Sequence, residues 1–126
     1  MRSPLRILTL VVGAFFVLQG LAWLANPASA AAGLAMPLLD GLARSTQVGD
    51  FAAFFLAIGA TTLVGTRPGR AQLLLVPAGI LGTAAVARAL AWALHGAGFA
   101  SVFIGVEVVA GAFLAFASQR LGAVRS

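Results

Sequence analysis

Four long apolar runs occupy most of this 126-residue chain and limit what it can fold into. They cover residues 7–25, 50–66, 71–94 and 97–118, and a helix needs about 20 residues to cross a bilayer. The chain is 61% hydrophobic and 9% charged, which is outside the range of water-soluble domains. The connectors are too short for a soluble domain. We therefore predict an all-α integral membrane protein, with residues 1–126 forming one four-helix transmembrane bundle.

The first run also has the features of a signal peptide. Arg2 and Arg6 precede it, and Ala28-Ser29-Ala30 resembles a small-residue cleavage site. Its apolar stretch is longer than the about 7–15 residues usual in signal peptides. We favour a retained helix, and cleavage is the alternative.

Arginines mark the expected orientation. The opposite side holds only Arg44, whereas six arginines lie on one side: Arg2, Arg6, Arg67, Arg70, Arg120 and Arg125. Because Lys and Arg accumulate on the cytoplasmic side, we predict a multi-pass protein with both termini in the cytoplasm. All basic residues are Arg and Ala, Gly and Leu dominate, which suggests a bacterial inner membrane. The arginines form no basic stripe, so we expect no nucleic-acid partner.

Two opposite charges lie inside the third and fourth runs. Counted from the centre of the connector at residues 95–98, Arg88 and Glu107 lie roughly 14 Å along antiparallel helices, near the bilayer midplane. A charge at that depth costs about 2.5–3.5 kcal/mol on insertion scales. We predict a buried ion pair between Arg88 and Glu107, and either a structural clamp or a functional site agrees with it.

Further polar side chains fall in the same half of the predicted bundle. Trp92 and His95 follow Arg88 by four and seven residues, which places all three on one helical face. Gln19 has a similar depth in the first run, and Asp50 lies at the start of the second. We predict a polar pocket, reached from the outer side, in which Gln19, Asp50, Trp92 and His95 surround the ion pair.

Each of these side chains also has a structural interpretation. Gln19 can serve as an interhelical hydrogen bonder, and Asp50 can cap the second helix. Trp23 and Trp92 lie near helix ends, where an aromatic belt explains both. His95 is expected in a solvated connector. One His with two distant carboxylates gives no metal-ligand spacing, and the chain has no Cys, so we expect no metal and no cofactor.

Four segments carry a resemblance to a known family. They are LAWLANPASAAAGLAMP (residues 21–37), QVGDFAAFF (47–55), ARALAWALHGAGF (87–99) and FIGVEVVAG (103–111). With them the chain resembles the domain of unknown function 4345 family of small four-span bacterial membrane proteins, itself loosely similar to the DoxX-like group. The resemblance implies the four-span fold, and it implies that Arg88 and Glu107 hold the family's intramembrane Arg and Glu positions. It implies no activity.

Three functions agree with these features, and we favour a non-enzymatic one. The first is an accessory or structural subunit, or a binder of a lipid-like molecule, with membrane lipids and a larger membrane complex or a homo-oligomer as partners. The second is a small proton-coupled transporter using Glu107, which the matched Arg88 opposes because a neighbouring cation stabilises the charged carboxylate. The third is an intramembrane enzyme on an apolar substrate, with Glu107 or Asp50 as acid or base.

Overall fold

The computed structural model describes residues 3–125, with side chains up to residue 123. Arg2 and the Arg125 side chain, used in the orientation argument, lie outside this part. The described residues form five α-helices, one 3-10 helix and no strand: α1 (Pro4–Ala25), α2 (Pro27–Gly33), α3 (Gly41–Gly65), the 3-10 helix (Ala71–Leu74), α4 (Leu75–His95) and α5 (Ser101–Arg125).

Four of these helical segments are long and apolar enough to cross a membrane: α1, α3, α4 with its preceding 3-10 turn, and α5. The prediction of an all-α, four-helix membrane bundle is confirmed. We call the end formed by residues 26–40 and 96–100 the connector end. The opposite end, with the start of α1, the end of α5 and residues 66–70, is the terminal end.

The helix boundaries follow from local sequence signals. Ser3 caps α1 by accepting a hydrogen bond from the Arg6 amide (3.1 Å), and Pro4 takes the first helical position. Asn26 separates α1 from α2, since its side chain accepts from the Ser29 amide at 3.4 Å. Gly96 ends α4 in the left-handed region (φ 69°), a common helix terminator.

The second spanning helix is longer than the sequence predicts. It begins at Gly41, nine residues before Asp50, so the prediction that Asp50 caps it is wrong. No proline interrupts residues 41–49, and the extended residue Asp40 precedes the helix instead. The Asp40 carboxylate pairs with Arg44 Nη2 at 3.1 Å on the exposed surface. The last helix begins later than predicted, at Ser101 and not at Ala97, and it also ends later, at Arg125.

The spanning helices pack as two antiparallel pairs, α1 with α3 and α4 with α5. Glycine allows α1 and α3 to come very close. A Cβ atom added at Gly59 would lie 2.5 Å from the Val17 nitrogen and 2.8 Å from the Gly13 oxygen. These are backbone atoms that cannot move aside, so only Gly fits at this crossing.

The register of α1 against α3 fixes the level of Asp50. Gly20 faces Leu56 across the pair, and six residues further along each antiparallel helix bring Asn26 opposite Asp50. Asp50 therefore lies level with the end of α1, and the first nine residues of α3 extend roughly 13 Å beyond it.

The core is concentrated towards the terminal end of the bundle. Leu74, Leu114 and Leu121 are buried there with Ala71 and Ala117. A second, smaller cluster of Trp23, Ala31 and Ala52 lies at the connector end, between α1, α2 and α3. The two pairs are thus packed together at one end and separate towards the other, which leaves room for a cavity.

Candidate functional site

Arg88 and Glu107 form an ion pair between α4 and α5. Arg88 Nε donates to both carboxylate oxygens of Glu107, each at 3.0 Å. The Glu107 side chain is 10% exposed and that of Arg88 is 31% exposed. The single Nε–H group of Arg88 thereby joins α4 to α5.

The remainder of the Arg88 guanidinium makes a different kind of contact. Its Cζ atom lies 4.8 Å from the centre of the Phe103 ring, within the range of a cation–π interaction. Among the residues that the structure describes, neither Nη nitrogen donates a hydrogen bond. Arg88 therefore keeps its two NH₂ groups free of protein partners.

The pair lies in the connector half of both helices, closer to the helix ends than the depth of roughly 14 Å that the sequence predicts. Arg88 is seven residues from the end of α4, and Glu107 is six from the start of α5. At 1.5 Å per residue these separations are about 9–11 Å. The difference arises because residues 96–100 form a non-helical connector in place of a tight turn.

A cavity of about 610 Å³ lies between the two helix pairs and reaches the ion pair. Of the chain's nine phenylalanines, at least six line it: Phe15, Phe16, Phe51, Phe54, Phe55 and Phe103. Small residues of α4, Ala84 and Ala87, complete the side walls. Its polar groups come from Gln19, Asp50, Arg88 and Glu107. The cavity is therefore an aromatic compartment with a few polar groups.

The structure brings two of the four predicted lining residues to this cavity. Gln19 is half-buried on α1, and Asp50 is exposed on α3, level with the end of α1. Asp50 has no ion-pair or hydrogen-bond partner among the described side chains, since Arg44 pairs with Asp40. Asp50 is thus at the cavity mouth as an uncompensated carboxylate.

Trp92 and His95 are not among the residues that line this cavity. They share a face with Arg88 but lie one and two turns closer to the end of α4, where the connector replaces the cavity wall. Trp92 is 52% exposed and packs edge-on against Phe99, with ring centres 5.2 Å apart. His95 is exposed at the last position of α4.

Trp23 does not lie in an interfacial aromatic belt, so that prediction is wrong for this residue. It is 0% exposed and stacks on Phe51 at 4.9 Å between ring centres. Its Nε1 is buried with no hydrogen-bond partner among the described residues. The prediction failed because Ala31 of α2 and Ala52 of α3 cover a position that would otherwise lie at the membrane interface.

Gln47 stabilises the backbone near the cavity, and the sequence analysis did not single it out. It is 4% exposed, its Nε2 donates to the Pro37 oxygen at 3.0 Å, and its Oε1 accepts from the Leu39 amide at 2.8 Å. These bonds hold the connector between α2 and α3 against the extended part of α3. Gly33 and Leu34, which line the cavity, lie just before the segment that Gln47 binds.

The cavity combines apolar walls with a few polar groups. Within the described part of the chain, no three His, Asp or Glu side chains approach one another as a metal site requires. The cavity offers hydrogen-bond donors on Arg88, a carboxylate at the mouth and aromatic walls. Such a combination of apolar surface and a few polar groups is typical of small-molecule sites.

Fold and site together define a class: a multi-pass membrane protein in which two antiparallel helix pairs enclose a phenylalanine-lined cavity beside an intramembrane Arg–Glu pair. Residues 4–118 match the family described as domain of unknown function (DUF4345), and the chain belongs to that family. The resemblance seen in the sequence is confirmed at this level. No curated protein and no solved structure matches the chain.

Proposed function

We propose that this protein binds lipid-like small molecules between its two helix pairs, as an accessory protein of the bacterial inner membrane. The observation that carries the proposal is the cavity of about 610 Å³ lined mainly by phenylalanine. Ligand pockets commonly measure about 300–1,000 Å³ and combine apolar walls with a few polar groups.

Packing supports an occupant in this space. Protein interiors leave few voids larger than a water molecule, and the terminal half of the bundle follows this rule with a continuous buried core. The connector half does not, since the cavity lies between Phe54 on one helix pair and Phe103 on the other. An apolar chain from the surrounding membrane is the nearest material that fits such walls.

The engagement of Glu107 favours binding over proton-coupled transport. Both of its oxygens accept hydrogen bonds from Arg88. A carboxylate that takes up and releases protons must exchange this bond in each cycle, at the cost of leaving Arg88 unpaired in an apolar site. A stable binding site needs no such exchange.

The proposal includes an orientation and partners. Arg6, Arg67, Arg70 and Arg120 lie at the terminal end, so the positive-inside rule places both termini in the cytoplasm and the cavity in the outer half. Ligands would then reach the cavity from the outer leaflet. A larger membrane complex or a second copy of the chain would receive or share them.

Photo-crosslinking in proteoliposomes tests the binding. The probe is a monoacylglycerol whose palmitoyl chain carries a diazirine, and labelled positions are mapped by mass spectrometry of the protein. We expect labelling at Phe54 and Phe55 that saturates and is competed by unlabelled monoacylglycerol. Labelling of lipid-facing positions such as Leu18, which is exposed on α1, should not saturate.

Two neighbouring substitutions on α4 provide the matched comparison. Ala87→Trp fills the cavity, because Ala87 lines it. Val86→Trp places the same side chain at a position that is 60% exposed and outside the lining. Saturable labelling should disappear in the first variant and persist in the second. Equal labelling in both variants would refute the proposed function, and so would the absence of saturable labelling of the unmodified protein by any probe with this acyl chain, whatever its head group.

A further inference from the structure

We infer that the ligand's head group is uncharged and carries hydrogen-bond acceptor oxygens, as an ester or carbonyl does, and that it binds the Nη groups of Arg88. This inference rests on the proposed function, since it specifies the class of molecule that the same cavity accepts. Three features of the site lead to it.

The first feature is the unused donors of Arg88. A guanidinium has five N–H groups, and the ion pair with Glu107 uses only the one on Nε. The four on the Nη nitrogens meet no acceptor among the described residues, although Arg88 lines the cavity. Arg88 is only partly buried, and donors that face an apolar cavity without an acceptor are unfavourable, so an acceptor oxygen is the group that this position needs.

The second feature is the charge of the lining. Arg88 and Glu107 neutralise each other, and Asp50 adds an uncompensated negative charge at the mouth. An anionic head would pass one carboxylate and then lie beside another, with no unpaired cation to bind. The electrostatics of the cavity therefore disfavour fatty acids and phosphates.

The third feature is the position of the positively charged Arg88 guanidinium inside the cavity. A cationic head that reached the ion pair would lie against the Arg88 guanidinium, and both Glu107 oxygens already accept from that group. Phe103 covers one face of the guanidinium, so a ligand approaches its Nη edge. A neutral acceptor meets that edge without repulsion, while its apolar chain contacts the phenylalanine walls.

Three photoactivatable probes with the same diazirine-bearing palmitoyl chain test the head group. One is a monoacylglycerol, one is the free fatty acid, and one carries a trimethylammonium head, all in liposomes at a pH that ionises the fatty acid. We expect saturable labelling of Phe54 and Phe55 to require about tenfold less monoacylglycerol than either charged probe. Tenfold corresponds to one hydrogen bond to a charged donor.

A double substitution shows whether the ion pair causes that preference. Replacing a buried ion pair by apolar residues of similar size is often tolerated, so Arg88→Met with Glu107→Met should fold and retain labelling but lose the preference. The control is Arg44→Met with Asp40→Met, which removes the exposed pair outside the cavity and should keep it. Should the first double variant fail to fold, Arg88→Lys replaces it, because lysine keeps a positive charge for Glu107 but lacks the Nη groups to which the ligand is assigned, so the preference should again be lost.

The outcomes separate this inference from the proposed function. If no probe labels the cavity saturably in the unmodified protein, both fail. If labelling saturates but the fatty acid or the ammonium probe equals or exceeds the monoacylglycerol, the cavity binds lipids and the head-group inference is wrong. Retention of the preference after loss of the Arg88–Glu107 pair also overturns it.

Discussion

At the scale of single residues, Arg88 is held on two sides and Glu107 on one. The carboxylate meets Nε of Arg88, and the Phe103 ring lies beneath the guanidinium. Each charge is therefore stabilised mainly by the other, in surroundings that are otherwise apolar. Loss of either partner leaves an uncompensated charge, which is costlier than loss of both.

We predict that Arg88→Met and Glu107→Met each destabilise the bundle by about 3 kcal/mol, the low end for buried pairs because Arg88 is partly exposed. The double variant should recover to within about 1 kcal/mol of the unmodified protein. Unfolding in mixed micelles at increasing denaturing detergent measures all three. A double variant no more stable than the worse single variant would contradict the pairing.

Trp23 yields a second prediction at this scale. Its buried Nε1 lacks a partner, but its ring stacks on Phe51. Trp23→Phe keeps the stacking and removes the unpartnered donor, so we expect a loss of stability below about 1.5 kcal/mol. Trp23→Ala should lose about 3–5 kcal/mol. Equal losses in the same micelle assay would show that the ring stacking contributes little.

The ion pair and Trp23 also show which features of the site single residues of a sequence can predict. Two opposite charges within apolar helices predicted each other as partners, because a lone charge in the membrane is unfavourable. Trp23 could not be predicted in this way. A tryptophan near a helix end is typical of an interfacial belt, and its burial depends on α2 and on the extension of α3.

At the scale of helices, the closest contact is that of α1 with α3. Gly59 meets backbone atoms of α1, whereas a Cβ at Gly79 on α4 would meet nothing within 4 Å. The lengths of α1 and α4 followed from the apolar runs. The start of α3 did not, because residues 41–49 are only moderately apolar and Asp50 resembles a helix cap.

We predict that Gly59→Ala separates α1 from α3 and destabilises the bundle by about 2 kcal/mol or more, since overpacking against backbone cannot relax. Gly79→Ala is the matched control. Alanine favours a helix over glycine by about 1 kcal/mol, so this variant should be neutral or stabilised in the micelle assay. A tolerated Gly59→Ala would mean that the pair is looser than the structure shows.

At the scale of the whole molecule, one end is packed and the other is open. Buried leucines join both helix pairs at the terminal end, while the cavity separates them towards the connectors. The sequence predicted a polar pocket in this half from the depths of Gln19 and Arg88. It could not predict the aromatic walls, because the phenylalanines come from α1, α3 and α5, and their convergence depends on how the pairs are arranged.

The orientation of the bundle decides from which leaflet the cavity is reached, and the absence of Cys from the sequence makes it measurable. Single cysteines are introduced by Ser45→Cys and Ala97→Cys at the connector end and by Pro68→Cys at the terminal end, all at exposed positions. With the arginines in the cytoplasm, a membrane-impermeant maleimide added to intact cells should label the first two and reach the third only after permeabilisation. The reverse pattern would contradict the positive-inside prediction and place the open half towards the cytoplasm. The cavity would then draw its ligand from the inner leaflet, while the Arg88–Glu107 geometry and its preference for an uncharged head would be unaffected.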